Sequence, residues 1–270
     1  MSKTLSKIGV IIGAVLVVLM IVLALCASVL TADDPIATNI RDNFSAPSQQ
    51  HPFGTDLMGR DIQSRIFYGL RTTLGVSFLA VLIALVLGGA LGLLAGACGG
   101  VISRSIILLA RFLSAGPGIL LVIVIAYRGG ASTLSLLLGM PSVLIPGFIR
   151  AFSGLKLCQK GNNTKKPLGM VIAQISLSMA LAVFVCAVIS FVGLGIQPPT
   201  PEFGSLIAVG RMYLREAPWL VVYPGLALAF TALSFNIFGE SLNALLLKSE
   251  SKENNSDQQP VYQQQHLQSI

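Results

Sequence analysis

The run TLGVSFLAVLIALVLGGALGLLAGA, residues 73–97, decides the fold of this chain, because it contains no charged residue and exceeds the ~20 apolar residues that cross a bilayer as a helix. A backbone in lipid must satisfy its own hydrogen bonds, so such a run predicts a transmembrane α-helix. Five further apolar runs follow the same pattern, and together they predict an all-α polytopic membrane protein with about six transmembrane helices. The predicted spans are 8–30, 73–97, 105–127, 131–149, 167–195 and 219–246.

The composition also indicates a membrane protein. Of the 270 residues, 54% are hydrophobic and 11% are charged, whereas roughly a quarter of the residues are charged in soluble domains. The net charge of +7 could indicate a nucleic-acid partner, but the basic residues lie between the apolar runs and no basic patch with interleaved aromatic residues occurs. We therefore expect membrane lipid, and no nucleic acid, around these charges.

Catalytic and metal-binding patterns are missing from the sequence. It contains no nucleophile with a neighbouring base, and the two histidines, His51 and His266, are far in sequence from any co-ligand. The sequence therefore predicts no catalytic residue, no metal site and no enzyme.

The distribution of charge predicts the orientation, since cytoplasmic loops of membrane proteins carry an excess of Lys and Arg. With the N-terminus in the cytoplasm, every lysine falls on the cytoplasmic side and most acidic residues fall on the other side. Both termini are then cytoplasmic. The chain divides into a first transmembrane helix (1–30), an extracytoplasmic segment (31–71), a core of five helices (72–247) and a cytoplasmic tail (248–270). We expect the tail to be disordered, because it is rich in Gln, Asn and Ser.

The extracytoplasmic segment contains the motif HPFGTDLMGRDIQSR, residues 51–65. Its glycines permit backbone turns that a Cβ atom would hinder. Its charged residues are spaced so that opposite signs can pair over one or two helical turns. The motif predicts a folded, ion-paired cap ahead of the second span; the alternative is a solvated surface loop with salt bridges. The candidate residues are Gly54, Thr55, Asp56, Gly59, Arg60, Asp61 and Arg65.

A second motif, SFVGLGIQPPTPEFG, occupies residues 190–204. Gly193 and Gly195 favour the end of the fifth helix, and three prolines prevent its continuation. The alternative is an ordinary helix end followed by a loop without a role of its own. The prolines are Pro198, Pro199 and Pro201.

These two motifs and the segment YPGLALAFTALSFNIFGESL, residues 223–242, resemble the second permease subunit of the dipeptide, oligopeptide and nickel ABC importers. The three segments stand in the order of that family, and the similarity covers residues 51–246. The resemblance implies the permease fold of type I importers, in a multi-pass protein of the bacterial cytoplasmic (inner) membrane. It implies one half of a translocation path for peptides, nickel or other small solutes.

The same resemblance implies the partners. They are a second homologous permease subunit, two cytoplasmic ATP-binding subunits and an extracytoplasmic substrate-binding protein. No cofactor is expected on the chain itself, since the ATP is used by the ATPase subunits. The fifth predicted span is dense in small residues that permit close helix approach, which we interpret as a contact with the second permease. These are Gly169, Ala173, Ser176, Ser178, Ala180, Ala182, Ala187 and Ser190.

The sequence departs from the family at two places. The family couples to its ATPase through a Glu-Ala-Ala helix pair between the fourth and fifth spans, but residues 150–166 contain no such pair and are expected to form a short basic loop. Arg111, six residues before Pro117, stands where the family tends to carry an acidic residue. An arginine in an apolar span is costly unless it is paired or reaches the interface, so it is either functional or snorkelling. The candidate ATPase-facing residues are Arg150, Gly154, Lys156, Lys160, Lys165 and Lys166.

Three hypotheses remain at this stage. The first is an importer permease, and the second is a degenerate permease-like subunit with a structural or regulatory role and weak coupling to the ATPase. The third is an ATP-independent channel or secondary carrier, which would need acidic residues deep in a span. The nearest such residue, Glu240, lies close to the predicted cytoplasmic end.

Overall fold

The computed structural model describes residues 3–31, 33–158 and 165–267, with side chains over 6–31, 33–154 and 169–246. In these ranges α-helices dominate, and one isolated antiparallel bridge joins Thr55 and Asp61. The helices are α1 (Lys3–Leu25), α2 (Ala27–Leu30), α3 (Ile62–Cys98), α4 (Gly100–Ser114), α5 (Pro117–Gly129), α6 (Thr133–Gly139), α7 (Pro141–Cys158), α8 (Lys165–Phe191), α9 (Phe203–Gly210) and α10 (Trp219–Leu267). The prediction of an all-α chain is confirmed.

Five helical segments are long and apolar enough to cross a membrane. They are Ser6–Leu25, Ile62–Cys98, Thr133–Gly154, Gly169–Phe191 and Trp219–Leu246. A sixth crossing is possible if α4 and α5 count as one bent span, which confirms a polytopic membrane protein with five to six spans.

The predicted span 105–127 is divided between two helices, because α4 and α5 are bent by 70° relative to each other. Gly116 at the junction has a φ of 126°, a backbone conformation that favours glycine. Pro117 follows and has no N–H to continue the α4 hydrogen-bond ladder. The chain therefore ends one helix and begins another at this point.

The helix that contains the predicted span 73–97 begins earlier than that span. Helix α3 begins at Ile62 and runs for 37 residues, so the last part of the predicted extracytoplasmic segment is helical. The hydropathy of the sequence did not indicate that these first turns belong to the helix, because they contain the charged residues Arg65 and Arg71. Arg65 is nevertheless only 2% exposed, because it is paired within the protein.

Contacts between helices fix the direction of each one. Gly88 of α3 packs against Ile145 and Phe148 of α7, and Gly92 packs against Ile149 and Phe152, so these two helices are parallel. Helix α10 runs antiparallel to both α1 and α8. Its Phe238 packs against Gly13, its Gly239 against Leu177 and its Leu246 against Gly169.

These directions define two ends of the bundle. The basic end holds the start of α1, the 98–100 turn, the end of α7 and the start of α8. The cap end holds residues 33–61 and 192–218 together with the start of α10. Helix α5 runs back toward the cap end, since Gly118 accepts a hydrogen bond from the Ser142 hydroxyl at 2.8 Å and Val122 packs against Gly139. The first span thus begins at the basic end, and the last span ends there.

Helix α10 extends to Leu267, so the backbone of residues 248–267 is helical rather than disordered as predicted. Lys, Glu and Gln have good helix propensity, and elongation of an existing helix avoids the cost of nucleation. Composition alone therefore overstated the disorder of this segment.

The small residues of α8 pack inside this chain. Ala173, Ala182 and Ser190 are at most 2% exposed, and the Ser176 hydroxyl donates to the Phe235 carbonyl of α10 at 2.6 Å. The interpretation of these residues as a contact with a second permease is therefore wrong for most of the set. The close neighbours of α8 are α10, α3, α9 and α7.

Candidate functional site: the ionic cap and the opposite, basic end

Asp56 is the centre of the cap. Its carboxylate accepts hydrogen bonds from the amides of Met58 and Arg60 at 2.8 and 3.0 Å and from Arg60 Nε at 2.7 Å. Arg65 Nη1 lies 3.7 Å away and also donates to the carbonyl of Pro35 at 3.3 Å. Asp56, Arg60 and Arg65 are at most 6% exposed, so this part of the motif is a buried ion-paired turn and not a solvated loop.

Asp61 has a different partner from the one that the spacing suggested. Its Oδ2 accepts from the Ser64 amide at 2.7 Å and caps the N-terminus of α3, while its Oδ1 lies 3.1 Å from Nδ1 of His51. An aspartate is favoured at this position because it satisfies a free amide of the first turn. Asp61 therefore fixes where α3 begins.

Gly54 and Gly59 allow the cap to fold tightly. Their φ values are 75° and 68°, in the region that favours glycine. A Cβ at Gly54 would lie 2.8 Å from both the Ser45 carbonyl and Nε1 of Trp219, and one at Gly59 would overlap the Asn39 carbonyl. Thr55 is buried and its hydroxyl accepts from the Ser45 amide at 2.8 Å.

Aromatic contacts fasten the cap to the rest of its end of the bundle. The Trp219 indole N–H donates to the Thr55 carbonyl at 3.2 Å. Phe53 stacks on Tyr223 with ring centroids 4.5 Å apart, and Phe44 meets Tyr213 at 4.9 Å. The cap is therefore joined both to the start of α10 and to a short 3₁₀ helix, Arg211–Tyr213, that precedes it.

The second motif ends α8 as its glycines indicated. The Leu194 amide donates to the Ile189 carbonyl and the Gly193 amide to the Ser190 carbonyl, both at 3.0 Å, with Gly193 at a φ of 95°. This is the pattern of a glycine-terminated helix. Gly195 is packed against Ser190, so a Cβ there would collide with that side chain. Pro198 and Pro199 are exposed, whereas Pro201 is buried beside α3.

Glu202 is a buried acidic residue that the sequence did not single out. It is 0% exposed and caps α9, with its Oε2 accepting from the Ser205 amide at 3.0 Å and its Oε1 from the Thr73 hydroxyl at 3.3 Å. Burial raises the pKa of Glu202, against the opposing effect of hydrogen bonds from the amides of Ser205 and Gly204. The sequence carried little signal for this role, because Glu is not a typical N-cap residue and Glu202 to Ser205 reverses the usual order of the capping box.

A cavity of about 520 Å³ opens between α2, α3 and the proline loop. Asp33 and Asp34 supply carboxylates to its wall, and Tyr68, Thr72 and Thr200 supply hydroxyls. The cavity therefore combines negative charge with hydrogen-bonding groups at the cap end.

At the basic end, the described charged side chains have fewer partners than those of the cap. Arg150 is exposed and donates to the Ser114 hydroxyl of α4 at 3.0 Å, and Gly154 has open space around it. Residues 150–158, predicted as part of a loop, instead continue α7. The backbones of Lys156, Lys165 and Lys166 are helical, while Lys160 lies outside the described residues. Helices α7 and α8 are thus separated by residues 159–164 alone.

Arg111 lies at this same end, one turn before Ser114 in α4. It is exposed, and it shares a helix face with the exposed Arg104, seven residues earlier. The side chain is therefore at the surface of the basic end rather than within the interior of the bundle, which favours the snorkelling interpretation over a buried pair.

Comparisons with known proteins identify relatives over most of the chain. It is 33% identical to the dipeptide transport system permease protein DppC of Alkalihalophilus pseudofirmus, over 87% of this chain and 84% of that protein. It is 30% identical to the probable D,D-dipeptide transport system permease protein DdpC of Escherichia coli, over 87% and 85%. The chain belongs to the family of peptide-transport permease proteins. A scan against models of protein families gives no match.

Membership of the peptide-transport permease family confirms the resemblance to peptide ABC importers. Its members here are membrane permease components and not enzymes. A glutathione transport system permease protein of Pectobacterium atrosepticum is also 33% identical, over 74% of this chain and 73% of its own length. The relatives thus share a transport role while differing in the cargo for which they are named.

Each alignment is longer than the number of residues of this chain that it covers. With the Alkalihalophilus protein, 256 aligned positions correspond to 87% of 270 residues, or about 235, which leaves about 21 positions of the relative without a counterpart. The Pectobacterium alignment has 220 positions against 74% of the chain, about 200 residues, and leaves about 20. This chain therefore lacks about 20 residues that these permeases contain within the aligned region.

Proposed function

We propose that this chain forms one half of the transmembrane path of an ATP-driven peptide importer in the bacterial cytoplasmic membrane. The observation that carries the proposal is the identity of 33% to a dipeptide permease over 87% of the chain. The partners are a second homologous permease, two cytoplasmic ATP-binding subunits and an extracytoplasmic substrate-binding protein. ATP is bound by the ATPase subunits, and this chain needs no cofactor of its own.

The orientation in this proposal places the cap end outside and the basic end in the cytoplasm. The start of α1, the turn at 98–100 and the end of α7 lie at one end of the bundle together with Lys7, Arg104 and Arg150. An excess of Lys and Arg is typical of cytoplasmic loops. The cap, with its buried ion pairs and its cavity, then faces the side from which a binding protein delivers cargo.

Short peptides are the proposed cargo, because the relatives are named for dipeptides, D,D-dipeptides and glutathione. The test is uptake of a labelled dipeptide by cells in which the chromosomal copy of this chain is deleted. We expect uptake to fall to background in the deletion strain and to return with the plasmid-borne chain. It should not return when the partner ATPases carry substitutions that prevent ATP hydrolysis. Normal uptake in the deletion strain would overturn the proposal.

A second candidate function is a permease-like subunit that assembles but is weakly coupled to its ATPase. Two observations favour it: only residues 159–164 separate α7 from α8, and about 20 residues of the relatives have no counterpart here. We assign most of the missing residues to this connection, where the family carries its ATPase-docking helices. The partner permease then carries most of the coupling.

An insertion separates the two candidates. Grafting a Glu-Ala-Ala helix pair between Gly154 and Pro167 should raise the amount of ATPase retained on pull-down if the natural connection docks weakly. A Gly-Ser insertion of equal length at the same place is the control. Tight retention of two ATPases by the unmodified complex, without gain from the graft, would contradict weak coupling.

A further inference from the structure

Three residues from separate parts of the cap converge on one point. Asp33 follows α2, His51 begins the cap motif and Asp61 precedes α3. Each offers one ligand atom, and these atoms all lie within 4.8 Å of one another. The sequence predicted no metal site, because Asp33 and His51 are 18 positions apart in the chain and only the fold brings them together.

The distance between the ligand atoms of His51 and Asp61 suits two neighbouring ligands of a single ion. Nδ1 of His51 lies 3.1 Å from Oδ1 of Asp61. Nitrogen and oxygen ligands bind Zn²⁺ at about 2.0–2.2 Å, so neighbouring ligand atoms of a tetrahedral site lie about 3.4 Å apart. Asp61 can ligate through Oδ1 and still cap α3 through Oδ2, which accepts from Ser64. An ion would therefore not disturb the start of the helix.

The charges around the three residues are not balanced. The buried arginines of the cap, Arg60 and Arg65, both pair with Asp56. Among the described side chains, no Lys or Arg lies within salt-bridge distance of Asp33 or Asp61, and the imidazole of His51 is the sole ion-pair partner of Asp61. Two carboxylates thus lie near one imidazole, and a divalent cation would neutralise their charge.

We propose that Asp33, His51 and Asp61 bind a divalent transition-metal ion of the Zn²⁺ type at the cap end. One imidazole with two carboxylates suits such ions, whereas Ca²⁺ and Mg²⁺ prefer ligand sets made of oxygen alone. Three protein ligands leave a position for water, as at open zinc sites. Asp33 also lines the 520 Å³ cavity, which gives the ion a route to the site.

The site would fasten the segment after α2 to the start of α3. The hydrogen bond from Arg65 to the Pro35 carbonyl is one of the contacts that already hold that segment there. Asp33 is exposed while Asp61 is 7% exposed, so the ion would bridge a surface residue to a buried one. Binding to the folded chain alone would raise the melting temperature.

The test uses the full chain purified in mild detergent with the subunits that accompany it. After treatment with EDTA and its removal, Zn²⁺ is added, and bound zinc is measured by mass spectrometry together with the melting temperature. The variants are Asp33→Asn and His51→Gln. The controls are Asp34→Asn, whose carboxylate bonds the Ile36 amide at 2.9 Å, and His266→Gln, which removes the other histidine.

We expect about one tightly bound Zn²⁺ per chain, with affinity reduced at least tenfold by Asp33→Asn and His51→Gln and unchanged in both controls. Asp33→Asn should match the natural chain in melting temperature when EDTA is present, because Asp33 is exposed. A natural chain that binds no zinc would overturn the proposal. Equal zinc binding by all variants would do the same, since the metal would then sit elsewhere.

Discussion

The two ends of the helix bundle use charged residues in opposite ways. At the cap end, Asp56, Arg60, Asp61 and Arg65 are all buried and each has a hydrogen-bond or ion-pair partner within the chain. At the basic end, Arg104, Arg111 and Arg150 are exposed, and only Arg150 has a hydrogen-bond partner among the described side chains. Part of the charge at the cap end thus belongs to the folded core, whereas these arginines of the basic end lie at the surface. The comparison predicts that substitutions at the two ends differ in size and in kind.

The largest effect is expected from Asp56→Ala. It leaves Arg60 and Arg65 buried without their shared carboxylate, and breaking a buried pair in this way costs about 3–5 kcal/mol. The expected result is a loss of folded chain, measured as the yield of monodisperse protein in detergent. Asp42→Ala is the matched control, because this aspartate of the same segment bonds only the exposed Asn39 side chain. Equal yields of the two variants would contradict the claim that the ion pairs of Asp56 stabilise the folded chain.

The next effect concerns the packing between the ends. A Cβ at Gly92 would lie 2.7 Å from Phe152 Cβ and 2.8 Å from the Ile149 carbonyl, so Gly92→Ala should separate α3 from α7. Overpacking of this kind costs about 1–3 kcal/mol. Gly75→Ala on the same helix is the control, since nothing lies within 4 Å of its Cβ position. Melting temperatures of the two variants measure the difference, and a shift of the same size in both would contradict the close contact.

Glu202 tests whether burial at the cap end extends to the second motif. Glu202→Ala removes the cap of α9 and the acceptor of Thr73, and should lower the free energy of unfolding by about 1–2 kcal/mol. Glu202→Gln keeps an acceptor and should be better tolerated.

The pH dependence of Glu202→Gln follows from the raised pKa of Glu202. A pKa raised by folding gives a stability contribution that is full below the ordinary value of 4.5 and is lost as the pH rises through the folded value. Relative to the natural chain, Glu202→Gln should therefore gain stability toward neutral pH and lose that advantage near 4.5. Chemical unfolding at several pH values measures this, and a pH-independent difference would contradict the burial of a titrating carboxyl.

The smallest effect is expected at the basic end. Lysine side chains are almost never fully buried, so replacing Lys156, Lys165 and Lys166 by Gln should change the free energy of unfolding by no more than about 0.5 kcal/mol. Each lysine contributes about 1 kcal/mol to attraction by an anionic membrane surface. Retention of the ATPases on pull-down should therefore change little, whereas its complete loss would show that this short connection is itself the dock.

The sequence predicted the membrane fold because hydropathy is a local property. It placed most spans within a few residues. It missed the first turns of α3, where Arg65 is buried because its charge is paired with that of Asp56. It also missed the break at Gly116-Pro117, although a Gly-Pro pair was visible in an apolar run. The small residues of α8 predicted close helix approach, but a pattern cannot identify which helix approaches. The convergence of Asp33 with His51 had no sequence signal at all.

Helix α3 has a mechanical consequence. Its 37 residues form a rod about 55 Å long, well beyond the ~30 Å hydrocarbon core of a bilayer. One tip is locked into the cap by Asp61, and the other ends at Gly99, where the backbone turns into α4. A tilt of about 10° around the midpoint of such a rod would displace its tips by about 5 Å in opposite directions. A movement that a partner imposes on one end of this helix, at one face of the membrane, would therefore displace the other end at the opposite face.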